Sequence, residues 1–186
     1  MIHRQASFRY LLAAALLFGL WGTAHAAAAA DGISTADLQA AARALGFLET
    51  LPHDGIVVIG IVYSAGVPGQ RVLAAQVAER LNVIPGPNAA NFRAQIIALD
   101  DLASFANRLD GLFLLPGALA EKTVITEVLL RRHLVSISND PACVDANCCV
   151  LMIRSGSTVE IVLNTQLANA AGLHFSSVFT MMVKRR

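Results

Sequence analysis

The chain has 186 residues, of which 55% are hydrophobic and 15% charged, a composition too apolar for a disordered polypeptide and long enough for one domain with a real core. Lys and Arg number 14 against 13 Asp and Glu, and this near-neutral balance gives no electrostatic reason to bind nucleic acid or an anionic membrane. The N-terminus comes first in chain order. Arg4 and Arg9 precede an apolar run from Leu11 to Trp21, and Thr23-Ala24-His25-Ala26 supplies small residues where a signal peptidase reads. This is the layout of a cleaved secretory signal peptide over residues 1–26. An uncleaved anchor is the weaker reading, because a span of about 20 apolar residues would have to include Gly19, Gly22 and His25. Cleavage removes two arginines, so Lys and Arg fall from 14 to 12 against 13 acids and the net charge moves from +1 to −1. The address implied is the periplasm.

Residues 27–33 read as a flexible leader, and residues 34–186 as one folded domain. Ser34 is a candidate N-cap for a helix to about Leu48, with Leu38, Ala41, Leu45 and Leu48 recurring at helical spacing. Gly55 opens GIVVIGIVY, whose Val and Ile content suits a strand covered on both faces. After the turn SAGVPG, Pro68 to Leu81 reads as a helix with Leu73, Val77 and Leu81 inward. Pro85, Gly86 and Pro87 make a loop, and Ala94 to Leu99 a short strand. Asp100 and Asp101 begin a further helix to about Leu109, where capping and the helix dipole explain them better than a catalytic carboxylate pair. Residues 111–116, GLFLLP, form a strand. Leu119 to Arg132 form a helix with Val124, Ile125, Val128 and Leu129 inward, and Leu134 to Ser138 a strand. Helices alternating with buried strands imply an α/β sandwich with a mostly parallel sheet.

The pattern changes after DPACVDANCC. Cys149 to Arg154 and Thr158 to Leu163 flank Ser155-Gly156-Ser157 as a hairpin. Gln166 to Ala171 is a short helix with Gly172 as its stop, and Ser177 to Val183 is either a helix or a strand. The sheet is therefore expected to be mixed, with antiparallel strands near the C-terminus.

Few motifs carry chemistry. In GIVYSAGVPGQR, Gly60, Gly66 and Gly69 do not make G-x-G-x-x-G, and no Lys-Ser/Thr follows. A turn between a strand and a helix N-terminus can nevertheless hold a ligand, which makes Ser64, Gly66 and Gly69 candidate binding residues. His53, His133 and His174 are far apart, and there is neither H-E-x-x-H nor G-x-S-x-G, so no catalytic residue and no metal site is assigned. Cys143, Cys148 and Cys149 have the spacing C-x4-C-C, which lacks the knuckle and fourth ligand of a zinc site. In an oxidising compartment the expectation is a disulfide from Cys143 to either Cys148 or Cys149, worth about 2 kcal/mol, with one thiol left over.

The last third of the chain resembles the YfiR family of small periplasmic proteins (YfiR/HmsC-like). The resemblance rests on IVLN at 161–164 followed by TQLANAAGLHFSSVFTMMV, in which Asn164, Ala171, Gly172, Leu173, Phe175, Ser176 and Ser177 match. LVSISNDP at 134–141 and GLFLLP resemble earlier strands of that family. The match departs at Val162, where the family often has an acid, and at Leu51-Pro52, where it often has an aromatic residue before the proline. The resemblance implies a non-enzymatic regulator that needs no cofactor. Such a protein docks on an inner-membrane sensor, such as a GGDEF-type diguanylate cyclase, and so lowers cyclic-di-GMP and biofilm formation. It also agrees with a disulfide near the cysteine loop, and the expected assembly is a homodimer. The alternative is a periplasmic small-molecule binding module associated with a transporter, since GIVYSAGVPG followed by a helix resembles the first unit of substrate-binding proteins.

Overall fold

The computed structural model describes residues 32–52 and 55–186. The expected signal peptide, all of the leader but Gly32 and Ile33, and His53 lie outside the described residues. Helix α1 spans Thr35–Leu45 and opens on a reciprocal cap: Ser34 Oγ accepts from Asp37 N at 3.0 Å, and Ser34 N donates to Asp37 Oδ2 at 2.8 Å. Leu38, Ala41, Leu45 and Leu48 are all buried, as their spacing predicts.

Strand β1 (Ile56–Tyr63) is followed by α2 (Gln70–Asn82), β2 (Asn91–Ala98), the short α3 (Leu102–Phe105) and β3 (Gly111–Leu114). Next come α4 (Lys122–Arg132), β4 (Val135–Ser138), α5 (Pro141–Asp145) and the hairpin β5 (Leu151–Ser155) and β6 (Val159–Leu163). Helices α6 (Thr165–Ala170) and α7 (Ser177–Met182) and the two-residue β7 (Lys184–Arg185) close the chain. The strands form one seven-stranded sheet in the order β2-β1-β3-β4-β5-β6-β7. Every neighbouring pair is parallel except β5–β6. This is the mixed, mostly parallel α/β sheet with a C-terminal hairpin that the sequence predicts.

The parallel strands are buried because helices cover both faces: β3 is apolar without a break, and every residue of β4, Ser136 and Ser138 included, is buried. The close fit shows at Gly111. A Cβ there would meet Val135 Cγ1 at 2.9 Å and Ile59 Cδ1 at 3.1 Å. Its neighbours in the sheet, β1 and β4, therefore pack directly against its backbone. On β5, Ile153 and Leu151 are buried, α1 packs against the strand, and Asp37 Oδ1 accepts from Ser155 N at 2.5 Å. One carboxylate thus caps a helix and pins the hairpin to it.

Several boundaries differ from the sequence reading. Helix α2 begins at Gln70, not Pro68, because Gly69 takes a left-handed conformation (φ 79°) that ends the turn. Leu73 is only half-buried, whereas Val77 and Leu81 are buried. Strand β2 begins at Asn91, three residues before Ala94, since β1 is eight residues long and pairs along its whole length. Asp100 and Asp101 lie in a 3-10 turn, and neither side chain caps a helix. Asp101 has helical backbone angles (φ −93°, ψ −7°), whereas a capping side chain needs an extended residue to reach back to the first N–H groups. The helix expected to run to Leu109 is consequently a four-residue turn between 3-10 segments. Val124 is 37% exposed instead of inward; Ile125, Val128 and Leu129 carry the buried face of α4. Residues 177–185 are helix and then strand.

Candidate functional site

The strand order reverses at β1, with β2 on one side and β3 on the other. In open α/β sheets the loops leaving such a point at the strand C-terminal ends diverge and leave room for a ligand. Here the loop after β1 carries Ser64, Gly66 and Gly69, the three residues singled out from the sequence. Val67 N donates to Ser64 O at 3.2 Å, and Gln70 N donates to Val67 O at 3.3 Å, so the loop is a pair of tight turns. Ser64 is half-buried and both glycines are exposed. Helix α2 starts at this loop with no side-chain cap and no acid in its first turn. Its N-terminal end therefore keeps the partial positive character that attracts anions.

Sequence reasoning missed Gln70. It is only 9% exposed, and its Nε2 donates to Pro116 O on the loop after β3 at 2.6 Å. That bond assigns the amide orientation, since a carbonyl can only accept. Oε1 is then buried with no partner among the described residues. Gly117, with φ 96°, lets the two loops approach: a Cβ there would meet Val67 Cγ2 at 3.6 Å and Gln70 Nε2 at 3.7 Å. At the end of the next strand, Ser138 Oγ donates to Leu114 O at 3.1 Å and accepts from Asp140 N at 3.2 Å. Asn139 Oδ1 is a second buried acceptor without a partner among the described residues. Buried polar atoms are nearly always satisfied, so two unpartnered acceptors at the same edge of the sheet, after β1 and β4, are unusual. The arrangement offers acceptors for an ammonium or hydroxyl and helix N–H groups for an anion. Only the type of residue 70, a polar side chain at the first position of a buried helix face, could have drawn attention to it.

The cysteines differ from expectation. All three are free thiols, so the predicted disulfide from Cys143 to Cys148 or Cys149 is not formed in this structure. Cys143 Sγ and Cys148 Sγ lie 3.2 Å apart, which is a hydrogen-bond distance and well beyond the roughly 2.05 Å of an S–S bond. Cys148 and Cys149 precede the strand, so they do not alternate between its faces. Both interact with Cys143. Burial pushes the Cys143 and Cys149 thiols upward, and the hydrogen bond to Cys143, followed by burial, raises Cys148. Among the described residues no group of three or more His, Cys, Asp or Glu is placed to hold a metal ion.

A consequence is measurable. With the protein reduced and the reductant then removed, Ellman's reagent at pH 8 is expected to find less than one reactive thiol in the native protein within minutes, and three after urea is added. Each raised thiol also adds stability that is complete below its ordinary value of 9.0 and declines as the pH rises past it. The slope is up to about 1.4 kcal/mol per pH unit for each thiol that stays neutral in the fold. Urea midpoints at pH 8 and pH 10 measure it. Rapid native labelling with no alkaline loss would show that the cluster is open.

The tail residues that carry the family resemblance are structural here. Asn164 caps α6 by accepting from Leu167 N at 2.9 Å, and its Nδ2 donates to Asn147 Oδ1 of the cysteine loop at 2.7 Å. Gly172 (φ 69°) stops that helix: Gly172 N donates to Asn169 O, and Leu173 N donates to Ala168 O. This is the double C-terminal closure that favours glycine. Leu173 is buried, and Ser176 caps α7 by accepting from Phe179 N at 3.4 Å. Ser177 is the first residue of α7.

No family model matches the chain, and no curated protein is similar enough to match. Solved structures do resemble it. The ligand-free, open structure of CD0873, a substrate-binding protein with adhesive properties from Clostridium difficile, superposes with a TM-score of 0.55 at 11% identity, over 70% of this chain and 54% of that one. An ABC domain in complex with L-Trp from Streptococcus pneumonia gives 0.57 at 10% identity, over 80% and 61%. A conserved domain protein from Vibrio cholerae O1 biovar eltor gives 0.54 at 12% identity, over 81% and 59%. The chain thus spans only 54–61% of the length of these structures. Among the described residues no helix is long and apolar enough to cross a membrane. At these identities the likeness is one of fold: the chain shares the α/β architecture of these structures, and no family is assigned.

Proposed function

We propose that the chain is a periplasmic small-molecule binding module, associated with a transporter, that takes its ligand at the C-terminal ends of β1, β3 and β4 without turning it over. The observation that carries this reading is the buried, unpartnered Oε1 of Gln70 beside the uncapped start of α2, at the point where the strand order reverses. A ligand with an ammonium or hydroxyl next to a carboxylate, as in amino acids and hydroxy acids, matches an acceptor beside helix N–H groups. Two of the fold neighbours are described as a substrate-binding protein and as a complex with L-Trp, which supports the choice of ligand class. The test is thermal unfolding against the twenty amino acids and simple hydroxy acids. A ligand at ten times its Kd adds about 1.4 kcal/mol, which raises Tm by roughly 3–6 °C in a chain of this size. Gln70→Leu is expected to weaken that ligand at least tenfold. Stabilisation by none of the panel, or an unaltered response in Gln70→Leu, would oppose the reading.

A second reading has its own observation. Helix α7 presents Val178, Met181 and Met182 outward at 54%, 77% and 63% exposure, one residue beyond the matching tail Ser176-Ser177. These positions form one helical stripe, an exposed apolar face of the kind that marks contact surfaces. It supports a contact role, as in the regulator that the resemblance to the YfiR family implies: a homodimer, or docking onto an inner-membrane sensor of the GGDEF type in cyclic-di-GMP signalling. Cross-linked capture from the periplasm with wild-type and Met181→Asp protein separates the two readings. A single-pass sensor held only by the wild type supports the regulator.

A further inference from the structure

We infer that the cavity between α5 and the β5–β6–β7 face is a binding site for an amphipathic anion, a carboxylate on an apolar body, distinct from the switch-point site. The cavity measures about 510 Å3, within the range of small-molecule pockets. Its construction follows from the sheet register. Met152 on β5 pairs with Val162 on β6, which pairs with Lys184 on β7, and one step along the hairpin Arg154 pairs with Glu160. Alternate residues of a strand share a face, so Met152 and Arg154 stand on the same side of β5. On the opposite side α1 packs on this hairpin, whereas on the cavity side the cover is the five-residue α5, which contributes Val144. The floor is therefore apolar, made by Met152 and Val162, with Val144 facing it from α5.

The rim is cationic. Arg154, Lys184, Arg185 and Arg186 line it against Asp145 and Glu160. Both acids are already engaged. Arg186 pairs with Asp145, and Lys184 Nζ lies 2.6 Å from Glu160 Oε1. Lys184 first, and Arg154 to a smaller degree, hold the Glu160 carboxyl below its ordinary value, so the acid stays charged and occupied. Arg154 forms no ion pair among the described residues, and Lys184, in the row of Met152 and Val162, stands on the same face. A guanidinium and an ammonium above an apolar floor recognise a carboxylate by charge and N–H donors and its alkyl or aromatic body by burial. A neutral apolar molecule would leave the rim unused, and a small inorganic anion would leave the floor wet. No lining residue comes from the loops after β1 or β3.

The experiment is isothermal titration of the intact protein with decanoate below its micelle concentration, compared with decanol, acetate and decyltrimethylammonium. Decanoate is expected to bind at least tenfold more tightly than each of the three, and less tightly as salt is raised. Arg154→Glu is expected to weaken it at least tenfold. Lys184→Glu serves as the second variant in case the first perturbs the fold, and Arg131→Glu, on α4, should change nothing. Gln70→Leu should leave decanoate binding intact, which separates this site from the proposed amino-acid site. Equal binding of decanoate and decanol, or decanoate binding that survives both Arg154→Glu and Lys184→Glu, would overturn the inference, as would no binding at millimolar decanoate.

Discussion

Asp37→Ala is expected to lower the unfolding free energy by about 2–4 kcal/mol, a large share of what a domain of this size has. The carboxylate accepts from Ser34 N at 2.8 Å and from Ser155 N at 2.5 Å, and it is buried. Removing it takes away half of a capping box, worth about 0.5–2 kcal/mol. It also leaves the Ser155 N–H without its acceptor at the end of β5, at about 1–3 kcal/mol for a buried donor. Asp37→Asn keeps one acceptor oxygen and should cost less. Ser34→Ala removes only the bond from Asp37 N and should cost about 1 kcal/mol. Urea unfolding of the three variants checks the order. If Asp37→Ala proved no worse than Ser34→Ala, the link between α1 and the hairpin would carry no weight.

The second expected result concerns Gly111. Its backbone lies between β1 and β4, and the methyl of alanine would sit 2.9 Å from Val135 Cγ1 and 3.3 Å from Val135 O. Side chains there must push a packed sheet apart, which costs about 1–3 kcal/mol for alanine and more for valine. The usual advantage of alanine over glycine in a strand is therefore expected to be reversed. A double-mutant cycle makes the cause testable. Val135→Ala removes the nearest methyl, so Gly111→Ala should be better tolerated in that background. Calorimetric Tm values for the four proteins decide it. A Gly111→Ala protein as stable as the wild type would show that the strands relax freely.

Much of the fold was legible because it follows from local chemistry. Ser34 capped α1, the Val- and Ile-rich run 55–63 became a buried strand, and Gly172 stopped α6, each for a reason contained within a few residues. Errors arose where tertiary pairing overrode propensity. Strand β2 gained Asn91, Phe92 and Arg93 because β1 supplies partners for them. The Asp100-Asp101 pair looked like a helix start but fell in a 3-10 turn. The candidate site was legible only in part. The glycine turn at 64–69 announced itself, whereas Gln70 depends on a bond to Pro116, 46 residues away, that no spacing rule contains. Asp37 is a similar case, since its second partner is 118 residues distant. The cysteine spacing put Cys143 within reach of Cys148 or Cys149, but did not decide whether they would be joined, because the same spacing serves thiols and a disulfide alike.

The most direct measurement is an amide NMR titration of the 15N-labelled protein with the amino-acid and hydroxy-acid panel. Binding at the switch point would move the amides of Ser64 to Gln70, Gly117 and Asn139 together, saturably, and not in the Gln70→Leu protein. Saturable shifts confined to β5, β6 and β7 or to α7, or no saturable shift with any member of the panel, would contradict the assignment of the ligand site to the ends of β1, β3 and β4.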